Sequence, residues 1–166
     1  MTADEVQYAL TYSQDSPFYM RKYYVVPNVS WGLDFNHELD LLAISKCFSG
    51  TEIEIKVSKS DLKRDLQKGH GHRDPRIRQL YFAGPIELEE AFFEYVPKDA
   101  GIITVYRNPK AIHLRYQCVI RRKAKANRSA KAFTDGEVFR LLRLGNMRYW
   151  SMFHKNLKNK KENENV

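Results

Sequence analysis

Residues 37–58, HELDLLAISKCFSGTEIEIKVS, decide the fold that the sequence predicts. Two β-prone runs, 37–45 and 51–58, flank a short loop through Cys47 to Gly50, which is the pattern of an antiparallel hairpin. In the second run apolar residues alternate with charged ones, so one face of the strand is apolar and the other carries two carboxylates and an ammonium. Such a face is either exposed to solvent or holds something polar.

The charged residues of the two strands face each other if the hairpin turns symmetrically about Cys47. Asp40 then lies opposite Glu54, and Glu38 lies opposite Lys56. Two carboxylates at this spacing repel each other unless one takes up a proton or a cation holds both. A divalent metal would neutralise them more fully than Lys56 alone, because hard cations prefer carboxylate oxygens. The alternative is a solvated face with Asp40 in a local hydrogen bond.

The elements around the hairpin predict a three-layer α/β domain with a mixed sheet. A capping box at residues 2–5 opens a first helix, and the β-rich segment 22–31 contains Pro27, which requires an edge position or a bulge. After the hairpin, a helix over 59–68 connects by a right-handed parallel crossover to a buried strand at 79–85.

The second half of the chain changes in composition. We expect a helix over 87–96 and a strand over 100–107, whereas 112–120 fits a strand or a short helix. Residues 121–131 contain six Lys or Arg in eleven positions, and a second capping box at 134–137 opens a C-terminal helix. We therefore divide the chain into an α/β domain at 1–120, a basic linker at 121–132, a C-terminal helix at 133–158 and a disordered polar tail at 159–166.

The composition restricts the class of protein. A chain of 166 residues with 43% hydrophobic residues suits one globular domain. Its net charge of +8 favours a polyanionic partner such as nucleic acid. Cys47 and Cys118 have no zinc spacing and are expected to be reduced thiols of a cytoplasmic protein. The N-terminus has no signal-peptide pattern, and no apolar run is long enough for a membrane span, so we expect no membrane association.

The hairpin residues resemble the PD-(D/E)XK nuclease superfamily, with Asp40 on one strand and Glu54-Ile55-Lys56 on the next, thirteen residues intervening. Within that superfamily, the segments HELDLLAIS, TEIEIKVSKSDLKRD, LYFAGP and PKDAGIITV are similar to MmcB-like DNA-repair proteins. The resemblance covers about residues 1–107. Leu39 replaces the proline of the family motif, which leaves the aspartate intact.

This resemblance implies a restriction-endonuclease-like αβββαβ core and a Mg²⁺-dependent deoxyribonuclease or endonuclease of DNA repair or phage-type DNA processing. By the same resemblance, Asp40, Glu54 and the Ile55 carbonyl would bind Mg²⁺ or Mn²⁺. Lys56 would position or activate the attacking water. Glu5 corresponds to a first-helix glutamate that some members use, although the capping box explains it equally well.

Other residues near this motif have weaker assignments. Glu52 is a further site candidate or an exposed salt-bridge partner, and His37 is expected to be structural. Four aromatic or apolar residues of the C-terminal helix are expected to pack against the domain: Tyr149, Trp150, Met152 and Phe153.

Basic side chains beside the proposed site are candidate contacts to DNA phosphates. They are Lys59, Lys63, Arg64 and Lys68 on the helix after the hairpin, and Arg121, Arg122 and Lys123 in the basic segment. A solvated helix face explains the first group equally well. The expected partner is DNA, and a homodimer is left open because related nucleases often dimerise. The alternative function is a catalytically inactive nuclease-fold module that binds DNA or joins a complex, and an RNA-binding accessory protein is a weaker third option.

Overall fold

The computed structural model describes residues 1–12, 14–30, 33–67, 74–109 and 115–164, without the side chains of 65–67 and 160–164. The helices are α1 (Ala3–Thr11), α2 (Lys59–Gln67), α3 (Glu89–Tyr95) and α4 (Asp135–Glu164), and a short 3-10 helix spans Ile86–Leu88. The strands are β1 (Tyr24–Val29), β2 (Leu39–Ile44), β3 (Gly50–Ile55), β4 (Ile77–Pro85), β5 (Gly101–Arg107) and β6 (Tyr116–Arg122).

The strands of the described chain form one mixed sheet in the order β1-β2-β3-β4-β5-β6. The first three strands are antiparallel neighbours, β3, β4 and β5 run parallel, and β6 returns antiparallel to β5. The parallel pairs require crossovers, which α2 and α3 supply. The predicted mixed sheet and its parallel crossover after the hairpin are therefore confirmed. Pro27 lies on β1, the edge strand, also as predicted.

Helices cover both faces of the sheet, as a three-layer α/β fold requires. On one face α1 packs against alternate residues of the central strands, such as Leu41 and Ile53. On the opposite face α4 covers β1 and β2, while α2 and α3 cover β4 and β5 around Phe82 and Ile102. The charged side chains of β3 lie on this second face, between the two helical covers.

Of the ambiguous segment 112–120, residues 112–114 lie outside the described residues, and the strand alternative holds from Tyr116 onward in β6, which also includes Arg121 and Arg122. The rest of the basic segment does not form a free linker. Its backbone N–H groups at Lys125, Asn127 and Lys131 each donate a hydrogen bond of 2.8 Å to a carbonyl of the domain. The run of Lys and Arg residues in the sequence gives no indication of these main-chain hydrogen bonds.

Helix α4 extends further at its C-terminal end than expected. Its N-terminal half belongs to the domain core, because Val138, Leu141 and Leu144 are buried against the sheet. It continues to Glu164 through residues expected to be disordered, where Lys and Glu favour helix. Among the helices that the structure describes, none is both long and apolar enough to cross a bilayer.

The second half of α4 carries four large apolar or aromatic side chains that were expected to pack against the domain but do not. Tyr149, Trp150, Met152 and Phe153 are 54%, 49%, 57% and 39% exposed. The three rings contact one another along the helix, with Trp150 and Phe153 centroids 5.6 Å apart. Only the first half of α4 therefore buries its apolar side chains in the core.

Candidate functional site

The register of the β2–β3 hairpin sets the positions of the charged side chains. Leu41 pairs with Ile53 and Leu42 pairs with Glu52, so the predicted register is confirmed. Extended by one residue, it places Asp40 opposite Glu54. Because the side-chain period of a strand is two, both carboxylates lie on the face that α2, α3 and α4 cover.

The Lys56 ammonium joins the two predicted carboxylates. Lys56 Nζ lies 2.7 Å from Glu54 Oε2 and 3.7 Å from Asp40 Oδ2. The Ile55 N–H donates to the same Asp40 Oδ2 at 2.8 Å. The structure therefore brings together all four residues of the sequence motif at the carboxyl end of β3.

The members of this group differ in their access to solvent. Glu54 and Lys56 are 3% and 6% exposed, whereas the Asp40 side chain is 35% exposed. A buried carboxylate costs free energy unless a cation and hydrogen bonds compensate it, so the ammonium is part of what permits Glu54 to fold inside the protein. Asp40 is the member that a ligand reaches first.

A second group adjoins the first on the same face. Glu52, fully buried, contacts His37, whose Nε2 lies 2.8 Å from Glu52 Oε1. One ligand atom from each of His37, Glu52 and Glu54 lies within 4.8 Å of the other two. The expectation that Glu52 is an exposed salt-bridge partner is therefore wrong, and His37 lies closer to the charged centre than the sequence indicated. The sequence did indicate that Glu52 lies near the site, because the period of two in a strand puts Glu52 and Glu54 on the same face.

Gly84 on β4 permits the close approach of Lys56. The Lys56 N–H donates to the Ala83 carbonyl at 2.9 Å, which extends the β3–β4 ladder past the end of the strand. A Cβ atom at Gly84 would lie 2.1 Å from the Lys56 carbonyl oxygen and 2.8 Å from the Phe92 ring. A glycine is needed here because the backbones pass too closely for a side chain.

The structure places Glu5 with a different set of residues. It forms the predicted capping box with Thr2, and its carboxylate accepts hydrogen bonds from the Tyr116 hydroxyl and from Arg107. The Tyr116 hydrogen bond, the Thr2 N–H and Arg107 together lower the pKa of Glu5 to about 2. These contacts explain Glu5 as a tie between α1 and the edge of β5 and β6.

The same edge of β5 and β6 also contains a small cavity of about 200 Å³. Its lining includes Tyr116 and Cys118. Burial raises the pKa of the Cys118 thiol to about 12. This cavity lies on the far side of the sheet from Asp40 and Glu54.

The predicted phosphate contacts on α2 lie at the protein surface. Lys59 and Lys63 both lie over the Tyr95 ring, at 5.5 and 5.1 Å from its centroid. Arg64 pairs with Asp61 at 2.9 Å. Because such contacts at the protein surface are weak, Lys59, Lys63 and Arg64 can still bind a phosphate. Lys68 lies outside the described residues.

The three basic residues after 120 have different surroundings. Arg122 donates to the carbonyls of Val96, Pro97 and Ala100, and burial lowers the pKa of its guanidinium. Arg122 therefore holds the turn after α3, and a contact of its guanidinium with phosphate stays a prediction. Arg121 contacts Glu89 at 3.1 Å, while Lys123 is exposed.

Comparisons with known proteins add support for the fold. No family model and no curated protein matches the chain. A solved structure of a protein of unknown function from Silicibacter pomeroyi is similar, with a TM-score of 0.52 and 15% sequence identity over 89% of this chain and 85% of that one. At this identity the likeness bears on architecture alone, and both proteins share the α/β fold.

Proposed function

We propose that this protein is a metal-dependent nuclease that hydrolyses DNA phosphodiester bonds, as in DNA repair or phage-type DNA processing. The observation that carries the proposal is the shared ammonium: Asp40 and Glu54 both lie within 4 Å of Lys56 Nζ at the carboxyl end of β3. The proposal also rests on the sequence resemblance of these residues to PD-(D/E)XK nucleases.

The donor set fits a hard divalent cation. Asp40 and Glu54 supply carboxylate oxygens, which Mg²⁺ and Mn²⁺ prefer. The N–H and C=O of a strand residue point the same way, so the Ile55 carbonyl is directed to the side where its N–H meets Asp40. These three residues would hold the ion. When bound, such an ion polarises a phosphoryl oxygen and lowers the pKa of its water.

The residues of the chain have separate tasks in this proposal. Asp40, the most exposed member, orients the group that enters from solvent. Lys56 provides a positive charge beside the phosphate, where negative charge grows in the transition state. Glu54 fixes the Lys56 ammonium at 2.7 Å, so the charge is already oriented before the substrate binds.

A DNA substrate agrees with the charge of the protein. The net charge is +8, and the exposed cations Lys59 and Lys63 begin three residues after Lys56 on α2. Lysines contact the phosphate backbone without reading the base sequence. We therefore propose salt-sensitive binding of DNA through the α2 surface.

A second candidate, a nuclease-fold module that binds DNA without cleaving it, is favoured by burial. Glu54 and Lys56 are 3% and 6% exposed, which limits how closely a phosphodiester can approach them. Under this alternative the charged group holds the hairpin together, and the α2 cations bind the DNA.

The experiment measures binding and cleavage by the wild-type protein separately. Fluorescence anisotropy reports the affinity for a labelled DNA duplex, and nicking of a supercoiled plasmid in Mg²⁺ or Mn²⁺ reports hydrolysis. Metal-dependent nicking supports the nuclease. Binding without nicking in either metal supports the module, and the absence of both overturns the two proposals together.

A further inference from the structure

The His37 imidazole contacts an oxygen atom through each of its ring nitrogens. Nδ1 lies 2.6 Å from Asn36 Oδ1, and Nε2 lies 2.8 Å from Glu52 Oε1. A neutral imidazole carries one N–H and can donate to only one of these oxygens. Three arrangements satisfy both contacts. An imidazolium donates from both nitrogens, a flipped Asn36 amide donates its NH₂ to Nδ1 while Nε2–H donates to Glu52, and a metal ion bound by Nε2 and the carboxylate leaves Nδ1–H to donate to Asn36.

The third arrangement is favoured by a further carboxylate at the same point. Ligand atoms of His37, Glu52 and Glu54 lie within 4.8 Å of one another. Nitrogen and oxygen ligands bind a dication at about 2.0–2.2 Å, so atoms around one ion are up to about 4.4 Å apart. Small side-chain shifts would therefore place one ion in contact with all three groups.

The burial of these side chains suits an ion bound inside the protein rather than one bound weakly at its surface. Glu52 and Glu54 are 0% and 3% exposed, and the His37 side chain is 7% exposed. A dication offsets the free-energy cost of two carboxylates in such an environment. The contact of Nδ1 with Asn36 would orient the imidazole, as outer contacts do for many metal-binding histidines.

We propose that His37, Glu52 and Glu54 form a binding site for a first-row transition-metal dication such as Mn²⁺. The imidazole nitrogen favours first-row metals such as Fe²⁺, Ni²⁺ and Zn²⁺ over Mg²⁺, which prefers an all-oxygen set, and Mn²⁺, which the two carboxylates suit, serves as the paramagnetic probe. The site shares Glu54 with the proposed nuclease centre but includes neither Asp40 nor Lys56. It therefore goes beyond the proposed function, and metal binding tests it whether or not the protein cleaves DNA.

The test is electron paramagnetic resonance of Mn²⁺ added to the purified full-length protein. Loss of the free-ion signal gives the affinity, and pulsed measurements detect ¹⁴N coupling from a bound imidazole. The wild type should bind Mn²⁺ with ¹⁴N coupling. His37→Gln should abolish the coupling and weaken binding by about tenfold or more, as loss of a ligand contact does. His154→Gln, at an exposed histidine on α4, is the matched control and should change neither quantity.

Two further variants separate this inference from folding and from the nuclease proposal. Glu52→Gln should also weaken Mn²⁺ binding, and circular dichroism checks that both variants stay folded. Asp40→Asn should retain the ¹⁴N coupling even where it abolishes cleavage. A wild type without ¹⁴N coupling, or coupling that survives in folded His37→Gln, overturns the site. Retained coupling in a protein that never cleaves DNA supports the site and overturns only the nuclease.

Discussion

Replacement of Lys56 by methionine tests whether the ammonium holds the two carboxylates inside the protein. Methionine keeps most of the aliphatic side chain and removes the charge. Glu54 Oε2 lies 2.7 Å from Lys56 Nζ, which corresponds to about 6 kcal/mol of attraction at an effective dielectric of about 20. Desolvation of the lysine offsets part of this energy. Removal of one partner of a buried pair therefore should lower the free energy of unfolding by about 3–5 kcal/mol.

Urea unfolding of four proteins isolates this interaction: the wild type, Lys56→Met, Glu54→Gln and the double variant. Because each single variant leaves the other partner buried, the double variant should lose at least about 1 kcal/mol less than the two single losses combined. Lys56→Met should also bind Mn²⁺ more tightly than the wild type, because a positive charge beside the carboxylates is gone.

The matched control is Lys125→Met, which removes a lysine that pairs with Asp99 at the surface. Exposed pairs contribute little, so its loss should stay below about 1 kcal/mol. A loss in Lys56→Met no larger than in this control would show that the ammonium does not hold the carboxylates inside the protein. Additive losses in the double variant would likewise show that Lys56 and Glu54 do not stabilise each other.

Three further predictions concern the scaffold around the site. Glu5→Gln should lower the melting temperature at pH 7, and the deficit should shrink as the pH falls from about 4.5 towards about 2, because the pKa of Glu5 is lowered from 4.5 to about 2 in the folded protein; a deficit as large at pH 2 as at pH 7 would contradict this. Gly84→Ala should cost about 1–3 kcal/mol in urea unfolding and reduce plasmid nicking, since the new Cβ displaces Lys56, and unchanged nicking would argue against that coupling. Alkylation with iodoacetamide at pH 8 should modify exposed Cys47 much faster than Cys118, because burial raises the pKa of the Cys118 thiol to about 12. Mass spectrometry of the peptides measures both rates, and faster modification of Cys118 would contradict the prediction.

The hairpin and its central charges could be predicted because both depend on local rules. The period of two fixes which residues share a face, and a turn centred on Cys47 fixes which residues lie opposite. The structure pairs Leu41 with Ile53 in that register. Asp40, Glu54 and Lys56 therefore come together as the sequence indicated.

The burial of Glu52 and its contact with His37 could not be predicted in the same way. Strand periodicity places Glu52 on the charged face, but whether that face meets solvent depends on elements outside the hairpin, the last of which follows some eighty residues later. His37 precedes β2, so no strand rule orients its ring. The hydrogen bonds of Arg122 could not be predicted for a related reason, since its three carbonyl partners come from the turn after α3.

The proposed nuclease requires that Asp40 belong to the centre that cleaves DNA. The most direct measurement is the rate of plasmid nicking in Mn²⁺ by Asp40→Asn, compared with Asp99→Asn, which alters an exposed aspartate at the start of β5, the other end of the parallel strands. Nicking should fall by at least about a hundredfold in Asp40→Asn, the order expected when an electrostatic contribution to the transition state is lost. Asp99→Asn should nick at the wild-type rate. Equal nicking by the two variants would contradict the assignment of Asp40 to the reacting centre.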